Sequence, residues 1–120
     1  MIEKNKVYSF DDLKEAYESY ITIPKDRKLI EDAYAFADKK HKGQVRKSGD
    51  PYIVHPIAVA YFLAKLHAGP ETIAAGLLHD TQEDTGTKNS ELSTRFGPTV
   101  ASLVEALTKI ADVTHRHDLH

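Results

Sequence analysis

The 120 residues predict an all-α domain, and three features of the sequence carry that prediction. Apolar residues recur at spacings of three and four. Prolines stand at the starts of the periodic stretches and glycines just past their ends, and no stretch alternates long enough to argue for a sheet. About six helices result. The first opens at Ser9, which forms a capping-box variant with Asp12, and runs to about Tyr20 before Pro24 interrupts. The second covers about residues 25–42, where Leu29, Ala33, Phe36 and Ala37, with His41, fall on one face and Gly43 supplies the left-handed stop. A loop follows, "GQVRKSGDPYIVH", with turn chemistry in Ser48-Gly49-Asp50-Pro51 and two adjacent cations, Arg46 and Lys47. From Pro56, "PIAVAYFLAKLHAG" predicts a third helix with so few polar positions that burial on most sides is expected. Gly69-Pro70 separates it from a fourth, "ETIAAGLLHDTQED". Asn89 or Ser90 caps a short fifth helix stopped at Gly97, and Pro98 starts a sixth with Val100, Leu103, Val104, Leu107 and Ile110 on one face. After Ala111 the period dissolves. The division expected is a helix and linker over 1–24, a helical domain over 25–111 and an irregular tail over 112–120.

The length suits one small domain with a modest core. Lys and Arg total 16 against 18 Asp and Glu, a formal charge of −2, so no global field selects nucleic acid or a membrane surface and any basic site must be local. The lack of cysteine excludes disulfides, thiolate zinc sites and Cys nucleophiles, and fits a reducing compartment. The start, "MIEKNKVYSF", lacks a signal-peptide core. The most apolar run, "IAVAYFLA", is broken by Lys65 well short of the roughly 20 residues that span a bilayer. A soluble, cytoplasmic chain is expected, with no nucleic-acid or membrane partner.

The chemistry concentrates in "LLHDTQEDTGT", where Leu77 and Leu78 adjoin His79, Asp80, Glu83 and Asp84. On a helix His79 and Asp80 point about 100° apart, while His79 and Glu83, and Asp80 and Asp84, stack four apart on neighbouring stripes. Carboxylates at a helix C-terminus oppose the negative end of its dipole unless a cation or basic side chains compensate. A divalent metal would compensate, and imidazole with carboxylate suits manganese, iron or zinc rather than magnesium or calcium. A carboxylate one turn from such ligands could take a proton from an attacking water, which singles out Glu83 with Asp84 beside it. Arg46 offers a planar guanidinium to a base or phosphate, and Lys47 a point charge to an anion. Plainer accounts fit the same residues: a helix fraying into a solvated acidic loop, a solvated Arg-Lys turn, and a His55 that caps a helix.

Three separated blocks, "HKGQVRKSGDPYIVHP", "AAGLLHDTQEDT" and "FGPTVASLVEALTKI", occur between about residues 29 and 110. In order and spacing they resemble the HD-type hydrolase domain at the N-terminus of Rel/SpoT proteins, enzymes that make and degrade the alarmones guanosine tetra- and pentaphosphate. The resemblance implies metal-dependent removal of the 3′-pyrophosphate, usually with Mn2+. It makes His55, His79 and Asp80 metal ligands and gives Glu83 and Asp84 the water. It assigns Arg46, Lys47 and Ser48 to the guanine nucleotide, and sets Tyr52, Thr85 and Lys109 near the pocket.

The family's further metal-ligating aspartate comes from a later helix, in a segment resembling "LADRLHN", and the sequence reaches His120 before any such segment. On this reading residues 25–111 form a partial HD domain, whose uncovered apolar faces would invite association with a second copy. Ala106 replaces a common glycine, and Thr81 and Gln82 stand where apolar residues are usual. The tail "HRHDLH" holds three of the seven histidines and repeats the His-Asp dipeptide at His117 and Asp118, a composition that binds metals nonspecifically. Two other functions stay open: a catalytically incomplete nucleotide-binding or regulatory remnant, and a stand-alone HD hydrolase of another phosphorylated nucleotide.

Overall fold

At the N-terminal end Ser9 Oγ accepts from the Asp12 backbone N–H at 3.1 Å, and the Ser9 N–H donates to Asp12 Oδ2 at 2.9 Å. This reciprocal pair satisfies two donors that a helix start leaves orphaned, and it opens α1 (Phe10–Glu18). The computed structural model describes residues 6–118, with side chains described as far as Lys109. The chain continues through α2 (Pro24–Lys40), α3 (Val54–Lys65), α4 (Pro70–Leu78), α5 (Thr81–Asp84), α6 (Asn89–Phe96) and α7 (Pro98–Asp118). Among the described residues the only β pairing is a single bridge between Val45 and Pro51, so the fold is all-α.

α4 is the centre of the bundle. It packs against α2, α3 and α7, while α1 covers α3 and α6 lies along α7. Its residues Ile73 through Leu78 are all buried, which explains why the sequence there is apolar without a polar face. Gly76 lets α3 come close, since a Cβ at that position would stand 2.8 Å from Leu63 Cδ1. Leu13 and Tyr17 of α1 share one core with Ile30 and Ala33 of α2, Ile57 and Ala60 of α3, and Val100 and Val104 of α7.

Several elements differ from the sequence reading. The expected continuous fourth helix is two helices, because the Thr81 hydroxyl donates to the Leu78 carbonyl at 2.7 Å and ends α4. α3 begins at Val54 rather than Pro56, since a proline is accommodated within a first turn where its missing N–H has no partner to lose. It is also less enclosed than expected: Pro56, Ile57, Ala60 and Ala64 are buried, but Phe62 is 49% and Leu66 79% exposed. Neither Asn89 nor Ser90 caps α6. Lys88 is the cap residue, and Asn89 Nδ2 donates to Gln82 Oε1 at 2.6 Å and to the Ala101 carbonyl at 2.9 Å, tying α5 to α7. The segment after Ala111, expected to be irregular, continues α7 to Asp118, because it contains neither proline nor glycine to stop the helix. The side chains of Ile110, His117 and Asp118 lie outside the described part, as does all of His120.

Candidate metal centre

Two places in the chain deliver the site. His55 lies in the first turn of α3, and His79 and Asp80 form the two-residue turn between α4 and α5. That turn is nearly helical, with φ −60° and ψ −29° at His79 and φ −93° and ψ −6° at Asp80, so the two side chains still diverge while facing the same side of the bundle. One ligand atom from each of the three residues lies within 4.8 Å of the others. Asp80 Oδ2 is 3.1 Å from His79 Nε2 and 3.5 Å from His55 Nε2. Exposure grades from 14% at the His79 side chain through 17% at Asp80 to 36% at His55, so the cluster opens to solvent on the His55 side.

The protonation chemistry follows from the partners. His79 Nδ1 is 2.6 Å from the Gly76 carbonyl, which can only accept, so Nδ1 carries the proton and Nε2 faces Asp80. Burial works against a charge on His79, but hydrogen bonding and Coulomb attraction from Asp80 outweigh it and raise the imidazole above its ordinary range. Burial likewise opposes the Asp80 charge, and His79, Tyr52 and His55 together reverse that and hold the carboxyl below its usual value. At His55 burial prevails over the pull of Asp80, with His79 and Arg46 adding to it, so this imidazole stays neutral more readily than a free one.

The donor set fits a divalent transition ion. Two atoms bound to one ion at about 2.0–2.2 Å lie at most about 4.4 Å apart, and the pairs at 3.1 and 3.5 Å already satisfy that limit. His79 presents Nε2 with its other nitrogen anchored to a carbonyl, the arrangement that fixes a ligand histidine's tautomer and orientation.

The remaining candidates sit around this cluster. Glu83 and Asp84 are exposed on α5, one turn beyond it; the Asp84 N–H donates to the Asp80 carbonyl at 2.9 Å, which joins the turn to α5. Arg46, Lys47 and Ser48 are exposed at the tip of a small closed loop. The Arg46 N–H donates to the Asp50 carbonyl, the Gly49 N–H to the Arg46 carbonyl, and the Tyr52 N–H to the Gln44 carbonyl, each at 2.9 Å. Gly49, at φ +92°, makes that tip because other residues rarely adopt the left-handed region. A shallow cleft of about 530 Å³ is lined by Val45, Arg46, Lys47, Ser48 and Tyr52. Thr85, the half-buried C-cap residue of α5, donates its hydroxyl to the Thr81 carbonyl at 2.6 Å and lines a separate cleft with Phe36 and Phe96, and Lys109 is exposed on α7.

Sequence reading gave Tyr52 only a place near the pocket. Its hydroxyl in fact donates to Asp80 Oδ2 at 2.9 Å, a contact between residues 28 apart that no local pattern encodes. The nearest signal was its position three residues before His55, one helical turn away.

Residues 33–119 match the HD domain family. The chain is 46% identical over 108 residues to a guanosine-3′,5′-bis(diphosphate) 3′-pyrophosphohydrolase of Aquifex aeolicus, covering 90% of the chain and 15% of that protein. It is 40% identical over 111 residues to the bifunctional (p)ppGpp synthase/hydrolase SpoT of Escherichia coli, covering 92% of the chain and 16% of that protein. A GTP pyrophosphokinase of Streptomyces coelicolor is 52% identical over 84 residues, 70% of the chain and 10% of that protein. The chain therefore spans roughly one sixth or less of the length of these relatives.

Proposed function

The chain belongs to the HD domain family and is of the Rel/SpoT type, and from that premise we propose that it is the metal-dependent hydrolase segment that removes the 3′-pyrophosphate of guanosine tetra- and pentaphosphate. The observation that carries the reading is the convergence of His55, His79 and Asp80 within 4.8 Å, with two exposed carboxylates one turn on and a cationic loop beside them.

His55, His79 and Asp80 would hold the metal, with Mn2+ the ion we propose. When bound, a divalent ion supplies Lewis-acid polarisation of a phosphoryl oxygen and makes water easier to deprotonate. Arg46 takes the guanine base or a phosphate with its planar guanidinium, Lys47 neutralises pyrophosphate charge, and the Ser48 hydroxyl, 3.0 Å from Asp50 Oδ2, is positioned by that contact at the loop tip. Glu83 accepts the proton of the attacking water and Asp84 orients that water, both carboxylates being solvent-exposed where the water must arrive. The water oxygen bonds to the phosphorus attached to the 3′-oxygen as Glu83 takes a proton from it, that P–O bond breaks and pyrophosphate leaves, and the 3′-oxygen takes up a proton from solvent to become the hydroxyl while Glu83 returns its own to solvent. The neutral tendency of His55 suits a ligand that must offer a lone pair.

The test is Mn2+-dependent pyrophosphate release from guanosine tetraphosphate, measured on this chain and on a version carrying the following helices of a relative. Release that His79→Ala and Asp80→Ala abolish supports the reading. Glu83→Gln is expected to leave Mn2+ binding intact while turnover falls by 10²-fold or more, on the order of a lost general base. Nucleotide binding without release in both forms would favour the regulatory remnant, and release indifferent to all three substitutions would overturn the site.

A further inference from the structure

We propose that Tyr52 is a positioning residue of the metal centre: its hydroxyl donates to Asp80 Oδ2 at 2.9 Å and holds that oxygen between His55 and His79. The inference rests on the metal reading above and extends it to a residue that is not itself a metal ligand.

The oxygen concerned is the one the two imidazoles face. Asp80 Oδ2 lies 3.1 Å from His79 Nε2 and 3.5 Å from His55 Nε2, and a carboxylate oxygen has lone-pair capacity for a phenol and an ion together. Without a fixed donor the carboxylate could rotate and present either oxygen, or neither, to the cluster. Hydrogen bonds to ligating carboxylates suppress that freedom, and their loss weakens metal affinity.

The tyrosine is itself held on two sides. Its N–H donates to the Gln44 carbonyl at 2.9 Å, fixing the backbone at the end of the cationic loop. Its ring stacks on His41, with centroids 4.7 Å apart and planes 29° from parallel. His41 is 2% exposed; Nδ1 lies 3.0 Å from Gln44 Oε1, and Nε2 has no hydrogen-bond partner among the described residues. A buried imidazole with an unpaired nitrogen costs stability, which is consistent with a ring placed for its face rather than its polar atoms. Gln44 completes the brace, its Nε2 donating to the Asp84 carbonyl at 3.4 Å. Tyr52 also lines the cleft with Arg46, Lys47 and Ser48, so one side chain joins the nucleotide loop to the metal ligand.

The experiment is a Mn2+ titration of this chain, with free Mn2+ read by its paramagnetic resonance signal, alongside the thermal midpoint of the metal-free protein. Tyr52→Phe keeps the ring on His41 and deletes the hydroxyl. Tyr20→Phe is the control, deleting a hydroxyl that donates to the Ala68 carbonyl at 2.6 Å away from the site. Tyr52→Phe is expected to weaken Mn2+ affinity about 10–100-fold with a midpoint change no larger than the control's, while Tyr20→Phe leaves affinity unchanged. Equal affinity in wild type and Tyr52→Phe overturns the positioning role alone. Affinity loss that the control shares, or that tracks a larger drop in midpoint, makes the role structural and also overturns it. No Mn2+ binding by the wild type overturns this inference together with the metal reading.

Discussion

His79 is held between two demands, and the balance gives a pH signature. Burial disfavours its charge, yet Asp80 at 3.1 Å wins and raises its pKa above 6.5. The folded chain therefore keeps a proton that the unfolded chain releases. The stabilisation from His79 is fully present below pH 6.5 and is lost as pH climbs through the raised value. His55 has the opposite sign: its pKa is lowered, chiefly by burial, so stability falls as pH drops from 6.5 through the lowered value. A metal must displace the His79 proton to reach Nε2, and binding releases that proton. The stabilising effect of Mn2+ is thus expected to grow above pH 6.5, over the window where the metal-free protein loses its His79 share. Thermal midpoints with and without Mn2+ across that range check it. The gap should widen with pH in the wild type and vanish in His79→Ala, and a pH-independent gap would remove His79 from the ligand set.

At the scale of elements, the close approach of α3 and α4 sets the distance between His55 on one and His79 at the end of the other. Gly76 permits it, and its carbonyl also anchors His79 Nδ1. Gly76→Ala puts a Cβ 2.8 Å from Leu63 Cδ1, the far end of a half-buried side chain that can turn aside. The overpacking cost, about 1 kcal/mol at the low end, is offset by the roughly 0.8–1 kcal/mol of helix propensity that alanine gains over glycine, so a nearly unchanged urea midpoint and slope are expected; a loss above about 3 kcal/mol would mean that Leu63 cannot move. Such contacts explain what the sequence could and could not say. The capping box at Ser9 and Asp12, the proline starts of α2, α4 and α7, and the buried pair Val100 and Val104 were legible because they depend on neighbours three or four apart. The break after Leu78 was not, because neither proline nor glycine marks it and a threonine hydroxyl meets the Leu78 carbonyl there. The same limit applies at the site. Which residue types could bind metal was readable, and the Gly76 carbonyl that meets His79 Nδ1 lies only three residues before it, but the Tyr52 contact to Asp80 spans 28 residues and depends on how helix and loop pack.

For the whole molecule, the question is whether residues 6–24 are an appendage or part of the structure that carries the site. Leu13 and Tyr17 of α1 are fully buried in the same core as Ile57 and Ala60 of α3 and Ile73 of α4. Tyr8 stacks on Tyr61 of α3 with centroids 4.1 Å apart, and the Tyr20 hydroxyl closes onto the Ala68 carbonyl just past the far end of the same helix. α1 therefore braces α3 along its length, and α3 carries His55 in its first turn. A small domain has little stability to spare, about 5–15 kcal/mol, so a defect in α1 should be felt everywhere. Leu13→Ala removes a fully buried side chain and is expected to cost about 2–5 kcal/mol. If α1 belongs to the core, helix circular dichroism and tyrosine signals should still melt in one coincident transition at a lower midpoint. Mn2+ should shift that transition upward in mutant and wild type alike, since ligand binding to the folded state stabilises the whole cooperative unit. A biphasic melt, with a first phase insensitive to Mn2+, would show that α1 unfolds independently and that the site rests on α2–α7 alone.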